Sequence, residues 1–175
     1  MTLGDLNAAS AGQAVAAFLR CCGSRRWSER MAAARPFADA ESMTQMGDAI
    51  WSAVDRADWL DAFASHPRIG DHGAGRAGGT GKADKAGAAG EWAAHEQSGA
   101  VHAADDVKKR LAERNRDYEA RFGYIFIVCA TGKSASEMLT ILEGRLSNDF
   151  DTELTIAAEQ QRQITHLRLA KLLDD

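Results

Sequence analysis

Cysteine and proline are scarce in this chain of 175 residues, which has three of the first and two of the second. Three thiols, two of them the neighbours Cys21 and Cys22, make no disulfide framework. A reduced, cytoplasmic setting is the expectation. Long apolar runs are absent too: none approaches the roughly 20 residues a membrane-spanning helix needs. No basic segment followed by an apolar stretch opens the chain, so no secretory signal is expected. Nor does one sign of charge dominate. Twenty-one basic residues face 25 acidic ones, for a formal net charge of −4. That balance gives no electrostatic footprint for nucleic acid or an anionic membrane. The length suits one domain, residues 1–175, because a division would leave two marginal cores.

What the chain has in quantity is alanine, roughly one residue in five, and alanine is the strongest helix former. Apolar residues recur mostly at helical spacing. The first segment carries Leu6, Val15, Phe18 and Leu19; a second runs from about Ser24 to Arg35 and stops before Pro36. A third, from about Glu41 to Val54, places Met43, Met46, Ile50 and Val54 on one face. Asp58 to Ala64 is a short piece with Trp59, Leu60 and Phe63. Residues 91–99 form a helix ended near Gly99. Val101 to Phe122 is long and charged. Ser134 to Leu146 opens on the capping pattern Ser134-x-x-Glu137 and continues with Met138, Ile141, Leu142 and Leu146. The last helix, from about Asp151 to Leu173, has Leu154, Ile164, Leu167 and Leu172. The expected class is all-α, a single domain of about seven to eight helices. Two segments depart from it. Residues 70–90 hold eight of the 16 glycines and are expected to form a surface loop. Tyr124 to Cys129 is a short apolar run with β-branched residues, expected to be buried and extended.

Several patterns invite a cofactor without supporting one. Gly73 to Gly78 satisfies G-x-G-x-x-G, but a dinucleotide site needs a strand before it and a helix opening within it, whereas the segment before it contains Pro67 and its own composition is that of a loop. Gly81-Lys82 is half a phosphate loop, with Arg76 at the required glycine and Ala83 at the required hydroxyl. Five histidines show no H-E-x-x-H and no paired Cys/His spacing. A metal on His66 and Glu96 would need a third ligand that nothing specifies. No metal and no organic cofactor are therefore expected.

Three places can carry chemistry. His66 precedes Pro67, which biases it to an extended backbone and presets its direction. An imidazole titrates near neutrality and suits proton transfer, though a surface histidine at a helix end is the plainer alternative. Glu96-Gln97 can offer a carboxylate and an amide to a ureido group, whose N–H groups donate and whose carbonyl accepts. A solvated helix face is the alternative there. Arg145 shares a helical face with Met138, Ile141 and Leu142. A guanidinium on an apolar stripe needs a partner. That partner is either an internal carboxylate such as Glu143 or Asp149, or a bound carboxylate or carbonyl.

The ordered set is more informative than its members. It comprises Arg35-Pro36-Phe37, His66-Pro67-Arg68-Ile69-Gly70, Glu96-Gln97, Tyr118 to Val128, Arg145-Leu146-x-Asn148 and Leu167-Arg168-Leu169. In this order and spacing, from about residue 4 to 173, the chain resembles the 2-oxo-4-hydroxy-4-carboxy-5-ureidoimidazoline (OHCU) decarboxylase family. The resemblance implies an all-helical, usually dimeric enzyme that needs neither metal nor organic cofactor. The implied reaction removes the carboxylate of OHCU and yields (S)-allantoin in urate breakdown. The implied roles are His66 as proton donor, Glu96 as the essential carboxylate and Arg145 as the substrate-binding arginine. Pro67, Ala93 and Gln97 would line the substrate, and so would the backbone of Phe126, Ile127, Val128, Cys129 and Ala130. Ala93 departs from the family, which often carries serine there. Two other classes remain open on sequence: a non-catalytic helical interaction module, and another ureide enzyme such as a hydrolase.

Overall fold

The structure, a computed structural model, describes residues 1–69, Trp92, His95, Glu96 and residues 105–174. Among the described residues there is no strand. Eight helices have described bounds: α1 (Leu3–Ala8), α2 (Ala11–Cys22), α3 (Arg25–Ala33), α4 (Ala40–Ala53), α5 (Arg56–Ala64), α6 (Asp105–Phe122), α7 (Ala135–Arg145) and α8 (Phe150–Asp174). The all-α class read from the alanine content and the helical spacing is the one that forms. The glycine-rich segment 70–90 lies outside the described residues.

The chain gathers into two compact units. One is Met1–Ser65 with the end of the chain from Ala158; the other runs from His66 to Ala157. In the first unit, side-chain caps punctuate the helices. Thr2, Ser10, Ser24, Asp39 and Asp55 each accept a backbone N–H from the first turn that follows. Ser10 is the reason the first apolar segment is two helices instead of one. Its hydroxyl and the Gln13 side chain form a reciprocal capping box that starts α2 afresh. Trp27 is fully buried and donates from Nε1 to the Gly47 carbonyl at 2.9 Å. A β-carbon at Gly47 would lie 3.2 Å from the Trp27 ring, so glycine lets α4 approach that closely. Phe18 meets Trp27 and Phe37 edge-on. The three cysteines are buried.

The second unit is built around α6. Leu111, Asn115, Tyr118 and Phe122 form its buried stripe, at i, i+4, i+7 and i+11. Residues 125–130 have no regular structure. Phe126 to Ala130 are all buried, so burial of the apolar run holds. Ser134 then caps α7 through the capping box with Glu137 anticipated from the sequence. The helical stripes need adjustment at eight positions. Met46, Leu60 and Leu167 are exposed, and Val15, Leu19, Trp59, Ile141 and Leu146 are half-buried. Gly47, Trp51, Ala62, Leu139 and Leu169 take the buried places instead.

Candidate active site

The residues singled out for chemistry that the structure describes lie in the second unit. His66 is half-buried and follows Ser65, the C-terminal cap of α5. Pro67 is exposed. The segment behind His66 is pinned to α6. Arg68 places Nε and Nη2 on the two carboxylate oxygens of Glu119, both at 2.9 Å. Asn115 Nδ2 donates to the Ile69 carbonyl at 3.3 Å. Trp92, His95 and Glu96 are helical; His95 is exposed, while Glu96 keeps only 8% of its surface. A carboxylate that buried is not the solvated helix face of the plainer sequence reading. Ala93 and Gln97 lie outside the described residues.

Arg145 sits at the end of α7 and is buried. Its Nε donates to Glu153 Oε1 at 2.7 Å, and Nη2 approaches the same oxygen at 2.5 Å. Nη1 donates to the Ile127 carbonyl at 2.8 Å. Nη2 also lies 3.4 Å from the Tyr118 hydroxyl, and the guanidinium stands 4.8 Å from the centre of the Phe126 ring. Glu153 has no exposed surface. It accepts further from the Tyr118 hydroxyl and, on Oε2, from Asn148 Nδ2 at 2.8 Å. Burial, and then the hydrogen bond to Glu153, push the Tyr118 phenol far above its ordinary value, so it stays a donor.

The arginine therefore has an internal carboxylate partner, and it is neither of the two weighed from sequence. Glu143 pairs with Arg110 and Arg114, and Asp149 accepts from Thr152 in the first turn of α8. Glu153 was missed because it is eight residues away on the next helix. The available signal was a glutamate beside Leu154 and one turn before Ala157 on a buried face. Of the five backbone positions expected at the substrate, the structure brings two directly to Arg145: Phe126 by its ring and Ile127 by its carbonyl. The Cys129 carbonyl is taken by Lys133 Nζ at 2.7 Å, and the Ala130 carbonyl by the Lys133 backbone N–H at 3.0 Å. Among the described residues no group of three or more His, Cys, Asp or Glu side chains is arranged to hold a metal.

The buried Arg145–Glu153 pair and the buried Glu96, carried on helices, mark a class of helical protein that keeps charged groups out of water. Comparison with known proteins narrows it: the sequence profile of OHCU decarboxylase matches residues 7–170, and the chain belongs to that family. The uric acid degradation bifunctional protein TTL of Arabidopsis thaliana is 36% identical over 156 residues, which is 89% of this chain and 46% of that protein. The putative OHCU decarboxylase of Homo sapiens is 30% identical, over 84% of this chain and 78% of that one. The chain spans about half the length, or less, of the bifunctional relatives from Arabidopsis thaliana and Bacillus subtilis. A crystal structure of OHCU decarboxylase in the presence of (S)-allantoin superposes with a TM-score of 0.75 at 34% identity, covering 91% of this chain and 99% of that one. A structure of (S)-allantoin synthase, 16% identical with a TM-score of 0.69, shares the fold.

Proposed function

We propose that this chain decarboxylates OHCU to (S)-allantoin without a metal or organic cofactor, the whole span 1–175 acting as one catalytic domain. The observation that carries this reading is the family match over residues 7–170. A solved OHCU decarboxylase that aligns along nearly its full length supports it. The chemistry needs little equipment. The bond from C4 to the carboxylate breaks and carbon dioxide leaves; its electron pair forms a C4–C5 double bond and pushes the ring C5=N pair onto nitrogen, which takes a proton. A second proton then adds to one face of C5 while the C4 hydroxyl loses its own, which leaves C4 as a carbonyl and sets the stereocentre at C5. The site must orient the carboxylate, stabilise the charge that develops on the ring and aim the proton.

In this reading His66 delivers the proton. The anchoring of Arg68 and Ile69 on α6 supports a fixed direction for the segment that carries it. Buried Glu96 orients the ureido arm or couples to His66. Arg145 holds a substrate oxygen. Pro67, Ala93, Gln97 and the stretch Phe126 to Ala130 line the ligand. With alanine at 93, one hydroxyl contact is absent, worth about 1 kcal/mol of affinity. The enzyme acts in the cytoplasm, the setting that its three cysteines fit, and as a homodimer, as the family resemblance implies.

The test generates OHCU in place from urate with a urate oxidase and a hydroxyisourate hydrolase, with chelator present, and follows circular dichroism. Rapid appearance of one allantoin enantiomer above the slow racemic background is expected. Background-rate racemic product from folded protein would overturn the reading. His66→Ala and Glu96→Ala are each expected to lower turnover by about 100-fold or more, with thermal melts near wild type. A variant that kept the wild-type rate would remove that residue from the mechanism.

A further inference from the structure

We propose that Glu153 is the positioning residue for Arg145, acting on substrate binding through the guanidinium it holds; this rests on the functional reading above. Glu153 has no exposed surface, and a buried carboxylate is retained only with strong partners. It has three: Arg145, the Tyr118 hydroxyl and Asn148 Nδ2. It also lies in the first turn of α8, where the positive end of the helix favours an anion. On its side, Arg145 is fixed in two dimensions. Glu153 and the Ile127 carbonyl hold the edge of the guanidinium, and the Phe126 ring covers a face. Arginine has five N–H donors. The contacts to Glu153, Ile127 and Tyr118 occupy four and leave one on Nη1. The direction of that remaining N–H is set by Glu153. A guanidinium anchored this way presents one aimed donor in place of a mobile charge, which is what a substrate-orienting group requires.

The same contacts would arise if Glu153 only tied α8 to α7, so the experiment separates the two roles. Kinetics of OHCU decarboxylation are compared for wild type, Glu153→Gln, Arg145→Lys and the double variant. A positioning role predicts a KM about tenfold higher in Glu153→Gln with kcat changed by less than about threefold, because binding geometry is what is lost. It also predicts that the double variant is no worse than Arg145→Lys alone. A wild-type KM in folded Glu153→Gln, or losses that multiply in the double variant, would overturn it. Should Glu153→Gln not fold, Tyr118→Phe removes one donor from the same oxygen. It is then expected to raise KM about threefold, and an unchanged KM overturns the proposal. Independently of turnover, the Arg145 Nε–H resonance is expected to exchange slowly in wild type and to broaden or vanish in Tyr118→Phe and Glu153→Gln. An unchanged resonance counts against positioning, whereas inactive wild type with the expected NMR change faults the functional reading instead.

Discussion

Single residues decide where this chain is inert and where it is committed. Cys21 and Cys22 are fully buried, and burial pushes both thiols up to about 12. The thiolate is the reactive form, so neither is expected to react with a disulfide reagent at pH 8 until the protein unfolds; a time course with and without denaturant checks this. Arg145 and Glu153 are the opposite case, two charges that depend on each other. Removing one partner leaves an uncompensated buried charge, a loss of about 3–5 kcal/mol. Glu153→Ala is therefore expected to lower the denaturation midpoint far more than the exposed-pair variant Glu119→Ala, since exposed pairs contribute at most about 1 kcal/mol. The sequence showed that Arg145 needed a partner, because a guanidinium sat on an apolar stripe. It did not show which, because adjacency in sequence favoured Glu143 and Asp149 and the packing of α8 supplied Glu153.

At the scale of elements, the chain announces most helix starts and some stops. Ser134-x-x-Glu137 was legible as a capping box and forms one. Ser10 with Gln13 is the same device and went unread, so two helices were expected as one. Stops are set partly by glycine. Gly23 ends α2 at φ +84°, and a β-carbon there would fall 2.2 Å from Ser65 Oγ. Gly132 has φ +78° but open space around it. Gly132→Ala should therefore cost only the left-handed backbone strain, about 1–2 kcal/mol. Gly23→Ala should cost more, because the clash with Ser65 adds to the strain. Chemical denaturation of the two variants measures the difference, and equal losses would mean that Ser65 moves aside freely. Which apolar residues face the core was less legible. Met46 and Leu167 fit helical spacing yet stay exposed, because the period admits two neighbouring stripes and only the packed neighbours choose between them.

Across the whole molecule, helix ends also set the response to acid. Asp39, Asp55, Glu137 and Asp149 accept hydrogen bonds at helix starts, which hold their carboxyls below the ordinary 3.8 for aspartate and 4.5 for glutamate. A lowered folded-state value stabilises above the unfolded one and is lost as pH falls through the folded one. The melting temperature is thus expected to change little between about pH 7 and 5 and to fall below about pH 4 as these caps protonate; a scan of melting temperature against pH checks it. The ordered motifs from Arg35 to Leu169 were enough to place the chain in its family, which the match over residues 7–170 bears out. By itself the sequence determined the helical class, several helix caps and the family, because each is written in residue type and spacing along one dimension. Only the tertiary structure decided the exposed face of α4, the burial of Glu96 and the pairing of Arg145 with Glu153. Desolvation and charge pairing depend on which helices close over a side chain, and that is set by packing between segments distant in sequence.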